Sequence, residues 1–214
     1  MPPKRYDDLS LLTLWPVAPD IDLAQYIYQF LTSEVGTQTE KEVYFTDSIN
    51  SFPIHQLQEL VNESNQSIYE NIKINTALDL HELSSIIKKN TESLILKKIQ
   101  NKKTNDLKPF QILSVINGLD VMFRSTLVSF TNEQAHLLLR DVMLRLRQVC
   151  NEYDCSPLTF KIILLFNRSD VMELLPKQRH SAAHQQKKMK YNNAMEGNSV
   201  GEFVGKYYCD EVVQ

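Results

Sequence analysis

Glycine is scarce in this chain, 5 of 214 residues at positions 36, 118, 197, 201 and 205, while cysteine stands at 3 and tryptophan at 1. Each shortage excludes something. A phosphate-cradling G-x-x-x-x-G-K-[ST] loop and a dinucleotide-binding G-x-G-x-x-G turn need glycines that let backbone N–H groups approach phosphate, and neither motif occurs. H-E-x-x-H, the helical zinc-peptidase signature, is missing too. The cysteines, at 150, 155 and 209, give an odd count with C-x4-C spacing. That is neither a disulfide framework nor the paired C-x2-C of a zinc site, so all three are expected to be reduced thiols. No apolar run approaches the roughly 18 residues of a spanning helix, since Phe160–Phe166 is short and carries Lys161. The start, MPPKRYDDLS, has no apolar core of a secretory signal. These absences point to an intracellular chain with no membrane segment.

What is present suits a single globular domain spanning 1–214, with 43% hydrophobic residues and a net charge of −3. The near-neutral total hides an asymmetry. Residues 1–86 hold 13 acidic against 4 basic side chains, whereas residues 87–214 hold 13 against 19. The second part is therefore suited to an acidic partner.

The apolar pattern alternates between strand-like and helix-like segments. Leu9–Trp15 is a short apolar run stopped by Pro16, which reads as a buried strand. Ile21–Leu31 has helical spacing with Asp20 or Asp22 available as cap. Val43–Thr46 reads as a strand, and Ser51-Phe52-Pro53 opens a helix carrying Ile54, Leu57, Leu60 and Val61. Ile68–Ile74 is expected as the third strand, with a capping box at Thr76 and Asp79 starting a helix through Leu94 and Ile95. A lysine-rich tail and loop at Lys97–Lys108 leads to a strand at Phe110–Ile116. A second capping box at Thr131 and Gln134 then opens a long helix to Tyr153, and a fifth strand runs over Phe160–Phe166. The chain closes with helical spacing over Val200–Val213. The expected fold is α/β, a mostly parallel five-stranded sheet flanked by helices on both faces.

Between these segments, residues 176–198 lack any apolar period and form an expected flexible basic loop. Lys177, Arg179, Lys187, Lys188 and Lys190 stand there with no acid between Glu173 and Glu196, and Tyr191 adds a ring able to stack on a base. Read from its residues alone, such a run is either a solvated loop or a row of phosphate contacts. His180 and His184 have the spacing of one helical face, but in a Gln-rich loop without C-x2-C they read as solvated side chains, so no metal is expected. Asp7-Asp8 likewise reads as solvated. A second lysine set, Lys88, Lys89, Lys97, Lys98, Lys102 and Lys103, falls at the end of the third helix, where cations complement the macrodipole. His55, His81 and His136 fall on expected helices and are given no role.

Within Val43–Leu60, the block YFTDSINSFPIHQL resembles the second core strand and turn of RecA-type recombinases, with Asp47, Ser51 and Phe52 on the family's I-D-T-E-G-T-F pattern. More specifically, LLTLWP, SFPIHQLQ, IYENIKINTALDLHELS, INGLDVMFR and KYYCDE together resemble the chromosome-segregation-in-meiosis subunit family of the yeast Shu complex, over about Leu9 to Asp210. The resemblance implies a RecA-like core that has lost its ATPase chemistry. Pro16–Ile21 replaces the P-loop, Ile49 stands where the family's catalytic Glu falls, and Asn117 stands at the Walker B Asp position. No catalysis and no cofactor are implied.

The resemblance further implies a heterodimer with a second RecA-like Shu subunit, contact with other Shu subunits and the recombinase filament machinery, and binding to single-stranded, forked or double-stranded DNA. Its processes are homologous recombination, DNA repair, error-free damage tolerance and meiosis; its place is the nucleus, with the cytoplasm as a further location. The long loop takes the place of the second DNA-binding loop, and Phe52 that of a DNA contact, the alternative for Phe52 being a hydrophobic staple. The cluster K-K-M-K has no Arg, so bidentate phosphate grips are fewer. The rival reading is an interaction scaffold of the same fold that does not touch DNA.

Overall fold

The computed structural model describes residues 5–17, 22–33, 39–104, 109–155, 158–172, 174–175 and 199–213, with the side chains of 101–104 and 154–155 left out. Its centre is a parallel sheet. The strands β1 (Leu12–Val17), β2 (Glu40–Asp47), β3 (Ile72–Thr76), β4 (Phe110–Asn117), β6 (Leu158–Asn167) and β7 (Glu211–Val212) lie in the order β3-β2-β4-β6-β1-β7. The two-residue β5 (Asp154–Cys155) pairs antiparallel with the start of β6. The expected α/β class is found, with six parallel strands where five were expected.

Strand alternation divides the core in two. Leu12, Leu14, Tyr44, Ile112, Ile116, Ile162 and Leu164 point to one face and pack against α3 (Leu80–Thr104), α4 (Leu119–Ser129), α5 (Asn132–Glu152) and α6 (Val200–Tyr207). Trp15, Val43, Phe45, Leu113, Val115, Ile163 and Leu165 point to the other, against α1 (Leu23–Thr32) and α2 (Ile54–Leu60). Because both faces of β1, β2, β4 and β6 are buried, these strands read as apolar runs although their side chains still alternate. Each fully buried Leu or Ile contributes about 1.5–3 kcal/mol, against about 0–1 kcal/mol for an exposed ion pair such as Arg145–Asp141. The two apolar layers therefore hold the fold.

Helix starts follow the capping residues, with one change of register. Asp22 accepts the Gln25 N–H at 2.9 Å, and Thr131 and Gln134 exchange both bonds of a capping box. On α3 the cap is Asp79, which accepts the Glu82 N–H at 2.8 Å, while the Glu82 carboxylate accepts from Leu78 N–H at 2.7 Å. The box thus sits three residues later than Thr76 suggested.

Four expectations on the elements are corrected. First, the strand at Ile68–Ile74 starts only at Ile72, because Glu63–Asn71 forms a 3-10 helix that buries Ile68. Second, α3 runs on to Thr104 where an exposed tail was expected. Third, α4 is a helix that the periodicity left out; it starts at Gly118, whose φ of +79° turns the chain out of β4. Fourth, the closing helix stops at Tyr207, and the chain returns as β7. Asp210 makes this return specific: its carboxylate accepts from Arg147 at 2.5 Å and from the Leu12 N–H at 3.1 Å. Arg147 also donates to the Tyr208 carbonyl at 2.7 Å.

Pro16 does not stop β1. The Leu12 and Leu14 carbonyls accept from Asp210 and Val213 N–H, so the backbone groups of even-numbered residues face β7, and β7 has ended before Pro16 is reached. Among the described residues the missing N–H of proline faces no further strand there, so it costs no ladder bond.

Glu42 ties three elements together. From β2 it accepts from Lys73 on β3 at 2.9 Å and from Lys97 on α3, whose Nζ also lies 4.2 Å from the Phe110 ring centroid. Burial alone would raise the Glu42 carboxyl, but the hydrogen bonds from Lys97 and Lys73 outweigh it and hold the group below the ordinary carboxylate range. A carboxyl depressed in the folded state contributes stability above its unfolded value, about 4.3, and loses it as pH falls through the folded value. Glu42→Gln is expected to cost about 1–3 kcal/mol at pH 7 in denaturant titrations, and the difference from the unaltered protein to shrink below about pH 4.

Candidate nucleic-acid interface

In a parallel sheet covered on both faces, ligand chemistry gathers at the carboxyl ends of the strands. Here those ends carry Val17, Asp47, Thr76, Asn117 and Asn167. Asp47 is 3% exposed, and its carboxylate accepts from the Ile49 N–H at 3.0 Å and from the Ser51 N–H. Asn117 donates its side-chain amide to Ser51 Oγ. Ser48 donates its hydroxyl to the Gly118 carbonyl at 3.0 Å, and its N–H to the Asn117 carbonyl at 3.3 Å. The turn from β2 is thus stitched to the turn from β4, and Asn50 takes φ +55° to allow it.

This stitching decides what the carboxyl edge offers. The one buried carboxylate among the described residues, Asp47, is used as an acceptor for backbone N–H groups. Ile49, at 53% exposure, presents an aliphatic side chain that can neither polarise water nor bind metal. Asn117 brings a neutral amide. Among the described residues no group of three His, Cys, Asp or Glu is placed to hold a metal ion, and no helix is long and apolar enough to cross a membrane. Of the segment Pro16–Ile21, only Pro16 and Val17 are described, both in β1.

Phe52 is half-buried. Its ring meets Phe45 edge-on at 5.0 Å, and it packs into the cluster that contains Leu57. With Pro53 as the cap of α2, Phe52 and Leu57 occupy the N′ and N4 positions of a hydrophobic staple.

Lys177, Arg179, Lys187, Lys188, Lys190 and Tyr191 lie outside the described residues, as do His180 and His184, but both ends of their segment are described. After β6, a 3-10 turn at Arg168–Val171 leads into Leu174 and Leu175. The chain re-enters at Ser199, which donates its hydroxyl to the Asp170 carbonyl and accepts the Glu202 N–H at 3.1 Å as cap of α6. Gly201 and Gly205 bring α6 close: a Cβ on Gly201 would lie 2.7 Å from the Asp170 carbonyl oxygen, and one on Gly205 would lie 2.4 Å from Leu174 Cδ1. Exit and return are therefore held together at the carboxyl edge. Arg168 and Ser169 are exposed at this stem. Arg168 was not singled out in the sequence; its signal was a cation directly after Asn167, the last residue of β6.

The segment entering α6 also carries a motif that was expected to be absent from the chain. Gly197-Asn198-Ser199-Val200-Gly201 spells G-x-S-x-G. A nucleophile elbow would hold its serine on a strained turn with the hydroxyl free. Ser199 has φ −66° and ψ 160°, an unstrained cap geometry, and its hydroxyl is engaged on both sides. The described part of the motif is a helix start.

The second lysine set splits. Lys97 is bound to Glu42, Lys98 lies 5.0 Å from the Tyr153 ring centroid, and Lys88 and Lys89 are exposed; the side chains of Lys102 and Lys103 are outside the described residues.

Together these features define a parallel α/β protein whose turns from β2 and β4 are closed on each other by their own side chains, with a tightly joined stem beside them from which a basic segment leaves. The family model described as "Shu complex component Csm2, DNA-binding" matches residues 12–209, and the chain belongs to that family. It is 99% identical to chromosome segregation in meiosis protein 2 of Candida glabrata over 100% of both chains. It is 36% identical to the protein of that name from Saccharomyces cerevisiae, covering 98% of this chain and 100% of that one. The Eremothecium gossypii protein of that name is 30% identical, with 86% and 90% covered. The family resemblance drawn from the sequence blocks is thereby established.

Two outcomes are expected from this site. Gly118→Ala should destabilise the protein by about 1–3 kcal/mol, since φ is +79° and a Cβ would lie 1.9 Å from Ser48 Oγ. Calorimetry with ATP and Mg²⁺ should show no binding in the micromolar range, where about 8 kcal/mol would be released. A micromolar dissociation constant would mean that the carboxyl edge opens to nucleotide.

Proposed function

We propose that the chain is a non-catalytic DNA-binding subunit of a Shu-type complex, promoting recombinase filament assembly in homologous recombination and error-free damage tolerance. The observation that carries this reading is the stretch Lys177–Lys190, with five cations and no acid, in a family whose description includes DNA binding. Support comes from the stem, where Ser199 and Asp170 hold the two ends of that segment together beside the exposed Arg168. Each lysine that meets a phosphate releases a counterion, so binding of this kind is electrostatic and largely blind to base sequence. Tyr191 adds a stacking face for an unpaired base.

The absence of catalysis in this reading is supported by Ile49 and Asn117 at positions where RecA-type enzymes need Glu and Asp, and by the Asp47 carboxylate being bound to backbone. In this reading the core is a RecA-like pseudo-ATPase, supported by its parallel strand order. It pairs with a second RecA-like Shu subunit, meets further Shu subunits and the recombinase machinery, and works in the nucleus, with a cytoplasmic pool.

Replacing Lys187, Lys188 and Lys190 together by Ala, in the complex with the partner subunit, is expected to weaken DNA binding. The salt slope of log K should fall by about 2 to 3 units, with the thermal midpoint unchanged. Unchanged affinity and slope would instead favour the scaffold reading. Co-expression with the second subunit should give a heterodimer on size exclusion and a higher thermal midpoint than the chain alone; a robust monomer that ignores the partner would contradict the pairing.

A further inference from the structure

The exposed face of α3 carries a feature that DNA binding at the loop does not use. Ile95, Leu96 and Ile99 are 42%, 60% and 44% exposed, within little more than one turn of helix. Single exposed apolar residues are ordinary; three that touch on one face form a patch. Positions 88, 92, 95, 96 and 99 follow the i, i+3, i+4 spacing of one side of a helix, so Lys88 and Glu92 lie in line with the three apolar residues. Lys89 and Lys98 flank them. On this side α3 presents an apolar centre with three exposed lysines and one glutamate around it.

The face is remote from the carboxyl edge. The C-terminal half of α3 is anchored at the opposite end of the sheet, where Lys97 meets Glu42 and the ring of Phe110, the first residue of β4. An eight-residue strand such as β4 spans about 26 Å, so the patch lies roughly that far from Asn117 and the loop stem. The inward side of the helix is fully used by Leu80, Leu83, Ile87 and Leu94. Ile95, Leu96 and Ile99 lie outside both buried core clusters, so core packing does not account for an apolar choice at all three.

We infer that this face of α3 is a docking surface for a protein segment that carries Leu- or Ile-type anchors flanked by Asp and Glu. Two observations select that occupant. The described rim is basic, with Lys88, Lys89 and Lys98 against Glu92, so an acidic partner is favoured over a basic one. The centre is apolar, and a phosphate backbone has nothing to place on Ile95, Leu96 and Ile99, so a protein segment is favoured over nucleic acid. A second copy of this chain is disfavoured because like-charged rims would meet. The inference stands independently of DNA binding by the loop.

The probe is a fluorescein-labelled helical peptide of about 18 residues with Leu at i, i+4 and i+7 and Glu on both flanks, titrated into the purified full-length chain by anisotropy. Saturable binding is expected, weakened by added salt. It should weaken at least about tenfold in Leu96→Ser with Ile99→Ser, and severalfold in Lys88→Glu with Lys89→Glu. A peptide with Gln for Glu should bind less tightly. These four side chains are exposed, so thermal midpoints should not move, and circular dichroism checks that they do not. The inference is overturned by no saturable binding, or by binding indifferent to the Leu96 and Ile99 changes. It is also overturned if a DNA duplex binds here, lost on Lys88 and Lys89 reversal but unaffected by the serine pair. Self-association in sedimentation that disappears with the serine pair would assign the face to a second copy and overturn it equally.

Discussion

Helices cover both faces of β1, β2, β4 and β6, leaving only the edge strand β3 open among the described strands, with Ile74 53% exposed, and this constraint governs the molecule. Leu12, Leu14, Tyr44 and Ile112 are sealed beneath α3 to α6, while Phe45, Leu113 and Ile163 are sealed beneath α1 and α2. What remains for recognition is the carboxyl edge, the amino edge, the open strand β3 and the outward faces of helices. The features discussed above fall on two of these: the stem of the basic segment at the carboxyl edge, and the Ile95–Ile99 face on the outer side of α3. They are separated by the length of a strand, which leaves room for two different macromolecules at once.

At the carboxyl edge, the polar side chains of the β2 and β4 turns are turned inward on each other. Asp47 accepts from the backbone of its own turn, Ser48 reaches across to Gly118, and Asn117 bonds to Ser51. A water-filled cleft between β2 and β4 would need those bonds to be broken and the buried carboxylate to find new donors, each unsatisfied group costing about 1–3 kcal/mol. The same bonds make the edge rigid beside the stem.

The fold class was legible because five apolar runs separated by amphipathic segments have few other solutions. Where the pattern misled, the reason is local. Pro16 seemed a stop, but its missing N–H faces no further strand among the described residues. The α4 segment was left unassigned because its apolar residues run round the helix, Met122 and Phe123 being buried while Val128 is exposed, so no single face stands out. Helical spacing carries on from Val204 to Tyr208, past the true end of α6 at Tyr207, and the Asp210 contacts with Arg147 and Leu12, from residues distant in sequence, turn the chain into β7. Of the site, Asn117 and Ile49 were legible from the block pattern, as was the basic run. The joining of its two ends through Ser199 and Asp170 was not, since a capping serine and an acceptor carbonyl 29 residues away leave no periodic trace.

The pairing of β7 with β1 links residues 198 apart, Leu12 and Asp210. During synthesis the outer edge of β1 has no partner until almost the whole chain has left the ribosome, and bonds across such a separation form late. An unpaired parallel strand edge is sticky while it waits. The nascent molecule is thus most exposed to misassociation on the side where α6 and β7 will arrive. Conditions that slow this last addition, such as weakening Arg147–Asp210, should appear first as aggregation during expression, before any loss is measurable in the finished protein.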